Sequence, residues 1–137
     1  MRSRPRPSAR AALVAVVALV AVATACVVVA CGGNSAADTS DLTVNQRLGL
    51  EAAQQAGCSS CHGAHFDGGV GPTWHGLAGS TVTLKDGSKV TADNAYLTEA
   101  IADPSAQLVA GYDVAMPKNS LSAEDIARIV DYIEALG

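Results

Sequence analysis

Five consecutive residues, Cys58-Ser59-Ser60-Cys61-His62, hold the densest chemistry in this chain. Two thiols with two residues between them lie about one turn apart, and an imidazole follows directly. That is the C-x-x-C-H pattern of c-type haem attachment. Each thiol adds across one vinyl group of haem, and the two thioether bonds fix the macrocycle. The adjoining His62 then turns a ring nitrogen toward the iron from one side. Competing uses of the same residues fit less well. A thioredoxin-like redox pair needs a βαβ surround that this sequence does not offer. A zinc site needs two more ligands, and only His65 and His75 remain to supply them. A plain disulfide leaves His62 without a task.

Iron held by a histidine on one side takes its sixth ligand from elsewhere. Met1 precedes a basic stretch and an apolar run that read as an export leader, so Met116 is the only methionine expected in the mature chain. It stands 54 residues after His62, just before Pro117 and ahead of the last helix. A lone methionine is ordinarily a core filler. This one lies in a glycine- and proline-containing loop with no amphipathic period, and it is the expected distal ligand. His65 is too close to the attachment site to reach the opposite face. His75 is the fallback, and an open sixth position is the remaining alternative.

The elements that must position these groups fall within residues 44–137. Val44 to Gln55 reads as a helix with Thr43 as its cap. Val44, Leu48, Ala52 and Gln55 share one face, and Gly49 and Ala53 share another. Residues 57–80 are rich in glycine and without period, so they read as loop. Asp86-Gly87 between two β-branched pieces, Thr81–Leu84 and Lys89–Thr91, predicts a tight hairpin. Ala92 to Ala102 reads as a second helix, with Tyr96, Leu97, Ala100 and Ile101 as its stripe and Pro104 as its stop. Residues 103–120 are loop again. In the last helix Ser122 and Asp125 form a capping-box pattern, and Ile126, Ile129, Val130 and Ile133 follow at i, i+3, i+4 and i+7. The fold class expected is mostly α, with long loops and one small β-hairpin.

The N-terminus gives an address. Four arginines (Arg2, Arg4, Arg6, Arg10) precede Ala11–Cys31, where Thr24 is the only residue that is not apolar. Such a charged start, apolar middle and small-residue end form an export signal. Val28-Val29-Ala30 before Cys31-Gly32 resembles a bacterial lipobox. On that resemblance the leader, residues 1–30, is cut before Cys31, whose sulfur carries a diacylglycerol. Cys26, after Ala-Thr-Ala, is a poorer candidate. An uncleaved transmembrane anchor or simple cleavage are the alternatives. Each of the three leaves the remainder outside the cytoplasm. Residues 31–43 are small and polar and read as a lipid-anchored flexible tether, reaching roughly 20 Å on average.

Taken together, residues 44–137 resemble a class I mono-haem cytochrome c. The resemblance rests on Gly49, CSSCH at 58–62, Gly71-Pro72, His75-Gly76-Leu77-Ala78-Gly79, Met116-Pro117 and a final helix with Tyr132. The stretch VGPTWHGLAGSTVTLKDGSKVTADNAYLTEAIADP, followed by VAGYDVAMP, is similar to the cytochrome c domain fused to subunit II of some bacterial haem-copper oxidases. The copper-binding part of that subunit has no counterpart here, so the electron-carrying module alone is expected. The resemblance implies three main helices around one covalent haem c. It implies that the Pro72 carbonyl accepts a hydrogen bond from the second nitrogen of His62, which orients the ring and strengthens the ligand. It also implies that Gly49 lets the first helix cross the last one near Tyr132, and that Trp74 reaches a haem propionate. Ala53 departs from the pattern, since the family often has an aromatic residue there.

Composition narrows the function. The 137 residues leave room for one domain. The 49% hydrophobic content is inflated by the leader, and aromatics are only 4%. So poor a core usually needs a staple or a cofactor. After Cys31 there are five basic residues against thirteen acidic ones, a balance of −8, which excludes a nucleic-acid partner. With His62 and Met116 on the iron, no substrate binds there, and one-electron exchange is what remains; thioether sulfur and burial both raise the potential. The expected partners are redox proteins, namely a membrane-bound cytochrome c oxidase, a quinol-oxidising complex, or both. Lys118, beside the ligand loop, is placed to orient one. The alternatives are an electron-accepting subunit of an exported dehydrogenase or reductase, and an open-iron peroxidase or gas sensor.

Overall fold

The computed structural model describes residues 39–137, and the leader, Cys31 and the first part of the tether lie outside them. Among the described residues no helix is long and apolar enough to cross a membrane. A short 3₁₀ turn (Thr39–Asp41) precedes α1 (Val44–Gln55). Then come a four-residue turn of helix, α2 (Ser59–His62), strands β1 (Thr81–Thr83) and β2 (Lys89–Thr91), and helices α3 (Asn94–Ala102) and α4 (Ala123–Ala135). The strands pair antiparallel with Val82 opposite Val90, closed at Asp86-Gly87 as the sequence predicts.

Caps explain where the helices begin. Thr43 Oγ1 accepts from the Gln46 N–H, and the Gln46 side chain accepts from the Thr43 N–H at 2.8 Å, a complete capping box. α3 starts two residues later than the sequence suggests, because the Asp93 carboxylate accepts from the Tyr96 N–H and so fixes the cap. At α4 the Ser122 hydroxyl accepts from the Asp125 N–H as expected. The return bond is different: the same hydroxyl donates to the Asp125 carboxylate, and the cap's own N–H is not used. The stretch 57–80 is not all loop, since α2 interrupts it.

The broadest contact between elements is α1 against α4, and α3 packs on α4 beside it. α1 turns Gly49 and Ala53 inward, whereas Val44 is 65% exposed. α4 buries Ile126, Ile129, Val130, Tyr132 and Ile133. The crossing is close because of Gly49. A methyl group built on its Cα would lie 1.9 Å from the Arg128 carbonyl oxygen, and backbone cannot swing aside as a side chain can. Gly49→Ala should therefore push two helices apart. We expect a loss of ~3 kcal/mol, the upper part of the overpacking range, and a fall in Tm of more than about 10 °C for a domain of this size. Thermal denaturation followed by circular dichroism checks it.

Aromatic packing near the crossing comes from the loop. Ala53 is fully buried, while Phe66, Trp74 and Tyr132 form one cluster. Phe66 stacks on Trp74 at 4.1 Å between centroids and meets Tyr132 edge-on at 5.6 Å. Phe66 is the only non-glycine residue among those described with positive φ, at 60°. A bulky residue rarely adopts that backbone. Burial of its ring compensates, as do three bonds: its N–H donates to Gly63, and its carbonyl accepts from the Trp74 N–H and the Thr73 hydroxyl.

Candidate functional site

α2 arranges the attachment pentad. His62 N–H donates to the Cys58 carbonyl, so Cys58 and Cys61 stand at i and i+3, and His62 at i+4, along one side of a helical turn. Both cysteines are half-buried free thiols. Burial pushes the Cys58 thiol up from its ordinary value, which keeps it protonated at neutral pH. The following loop folds back on this turn. Gly71 N–H donates to the Cys61 carbonyl at 2.9 Å, and Gly68 N–H to the His62 carbonyl at 2.8 Å, so carbonyls that a helix end leaves unpaired are satisfied.

The same loop sets the His62 ring. Gly71 lies flat against it, and a Cβ at that position would come within 3.0 Å of Cε1. The Pro72 carbonyl oxygen is 2.8 Å from Nδ1, and the Trp74 indole nitrogen is 3.0 Å from the same atom. A ring nitrogen carries one proton or one lone pair, so Nδ1 serves one of these neighbours at a time. A carbonyl only accepts. When Nδ1–H donates to Pro72, Nε2 is left with a bare lone pair for a metal. When the indole N–H donates to Nδ1, Nε2 carries the proton and binds none. Only the first arrangement would let Nε2 hold a metal. In this structure the indole N–H of Trp74 thus points at His62, whereas the resemblance had implied a propionate. Trp74 itself is buried, 5% exposed, against Phe66.

A cleft of about 410 Å³ opens in front of His62, bordered by Pro72 and Trp74, by Val82 of β1, by Leu97 and Ile101 of α3, and by Met116. A second space of about 570 Å³ is bordered by Cys58, Cys61, His62, Met116, Lys118 and Leu121. Cys61, His62, Met116 and Pro117 border both, so the two are lobes meeting at that line. Each is within the roughly 300–1,000 Å³ of small-molecule sites. Haem c fits what the residues offer: two unpaired thiols and an imidazole with one nitrogen uncommitted at one wall, a half-buried thioether at the same space, and apolar sides elsewhere. Tyr96 also borders the cleft, and burial pushes its hydroxyl up, so it is neutral at physiological pH.

Of the other sequence candidates, His75 is exposed, with Nε2 2.9 Å from the His65 carbonyl, and it follows Trp74 in the loop that supports His62. Lys118 is exposed at the rim of the second lobe. Two residues escaped the sequence reading. Phe66, the only phenylalanine, gave one signal, a large apolar residue alone in a glycine-rich loop four residues after His62. Gly71 was visible as half of a Gly-Pro pair, but its contact with the imidazole was not.

A family model described as cytochrome c matches residues 47–137. No curated protein matches the chain.

Proposed function

The chain belongs to the cytochrome c family, and on that premise we propose that it is a membrane-tethered, extracytoplasmic electron carrier whose haem c is ligated by His62 and Met116. Haem c and an electron-carrying role come with the family, and Cys58 and Cys61 have the spacing that attachment requires. When bound, haem supplies one-electron exchange between ferrous and ferric iron. The protein's part is to hold and shield. Cys58 and Cys61 bind covalently, Nδ1 of His62 keeps its proton toward Pro72, and Val82, Leu97 and Ile101 exclude water.

One observation carries the ligand reading: His62 and Met116 border both lobes of the same space. With both positions filled there is no site for a substrate on the metal. The partners we propose are a membrane-bound cytochrome c oxidase, a quinol-oxidising complex, or both. Three sequence features support this placing: the apolar run ending at Cys31, the lipobox-like residues before it, and the short polar tether. A tether of roughly 20 Å keeps the domain concentrated at the membrane surface, where each encounter is local. That suits a domain whose acidic balance gives it no ring of basic docking residues.

The test is the protein purified from membranes of a host that matures c-type haem. We expect one mass that contains both haem and a diacylglycerol on Cys31, and a ferric spectrum with the weak long-wavelength absorption of methionine-ligated haem. High-spin ferric haem at neutral pH would overturn the carrier in favour of an open-iron protein. A chain that retains its leader would overturn the lipid anchor.

A further inference from the structure

Met116 lies in a segment with few attachments of its own. Between residues 113 and 121 the only hydrogen bonds among the described residues are two, and both are made by the Asn119 side chain. Its Nδ2 donates to the Ile101 carbonyl at 2.7 Å, and its Oδ1 accepts from the Leu121 N–H at 3.2 Å. Ile101 is the penultimate residue of α3, so its carbonyl is one of those that a helix end leaves without a partner. Its side chain is buried and borders the cleft. Leu121 directly precedes Ser122, the cap of α4. A single amide therefore ties the end of α3 to the approach of α4. Met116 stands three positions before Asn119, a reach of at most about 11 Å.

We infer that Asn119 is a positioning residue for the sixth ligand, holding the Met116 segment across the gap between α3 and α4. The inference rests on the reading of Met116 as an iron ligand. Without the tie, each binding of the sulfur must also order a loop that makes no other hydrogen bond among the described residues, and that conformational entropy opposes ligation. With the tie, the loop is ordered before the sulfur binds. The consequence concerns competition: an outside ligand displaces the thioether easily when the loop is loose and poorly when it is held.

The experiment is a titration of the ferric haem-loaded protein with imidazole, for the wild type, Asn119→Ala and Asn119→Asp. Asn119→Ala removes both bonds. Asn119→Asp is nearly the same shape and keeps the acceptor for Leu121, but sets a carboxylate against the Ile101 carbonyl. We expect both variants to bind imidazole roughly tenfold more tightly than the wild type, the scale of one lost hydrogen bond, with covalent haem content unchanged. Unaltered imidazole affinity in both, even with a lower Tm, would reduce Asn119 to a helix cap and overturn the inference. Tighter binding in Asn119→Ala alone would overturn the bridge to α3. A wild type that lacks the methionine absorption would remove the ligand reading first and the positioning role with it. A wild type that shows it, with variants that do not differ, removes the positioning role alone.

Discussion

A chain in which Cys58 and Cys61 are both alanine is expected to come out of its host without haem and without this fold. The first effect is chemical, since no thiol remains to form a thioether. The second follows from where the cleft lies. Its walls include Val82, Leu97, Ile101 and Ile133, residues that also form the core. Open to solvent, this 410 Å³ cleft costs less than a closed dry cavity of its size, for which about 24 cal/mol per Å³ would give about 10 kcal/mol. That is the size of the whole stability of an ordinary domain. The few large side chains elsewhere cannot offset it. Mass spectrometry should show the bare polypeptide, and circular dichroism should show most helix lost at temperatures where the wild type is intact. A haem-free variant melting at the wild-type temperature would show that the core stands alone.

Met116→Ala should leave a protein that still holds haem but has changed its chemistry. Cys58, Cys61 and His62 are untouched, so covalent content should not fall. The thioether is gone, and the residues around it offer no equal donor: Pro117 has no side-chain donor, and Lys118 is exposed. We expect the long-wavelength absorption to vanish, imidazole and cyanide to bind the ferric protein without competition, and the reduction potential to drop. Axial ligands span roughly 0.8 V across haem proteins, and loss of a sulfur that favours the reduced state should lower the potential by about 100 mV or more. Titration against redox dyes measures this. A potential and spectrum unchanged from wild type would mean that the sixth ligand is another group, with His75 next in line.

Much of this arrangement is legible in the sequence, for reasons that differ by element. α4 shows itself because Ile126, Ile129, Val130 and Ile133 repeat at helical spacing, and the hairpin because Asp86-Gly87 suits few other turns. The attachment pentad is legible because its chemistry is local: the spacing of Cys58, Cys61 and His62 is the site. α2 is not legible as a helix, since four residues carry no period. The neighbours of His62 are harder to foresee because they come from across a loop. Gly71, Pro72 and Trp74 meet the ring only after residues 63–71 have wound back on Cys61 and His62, and that winding needs Phe66 in a backbone region which its side chain disfavours. No propensity foretells such a residue, because the tertiary packing of its own ring holds it there. Pro72 was expected at His62 by family resemblance alone. Trp74 was expected beside a propionate by the same resemblance, and the approach of its N–H to His62 Nδ1 was not foreseen.

The meeting of Gly49 with Arg128 reaches beyond the crossing itself. It joins residues 79 positions apart, and closing so long a ring of chain costs on the order of 4 kcal/mol of entropy before any contact repays it. Among the described residues α1 has no other broad helical partner, whereas α4 also packs on α3, so the place of α1 depends on this one crossing. Once the clasp between its two ends loosens, the haem-bearing turn and both ligand loops lose their footing in a single cooperative event.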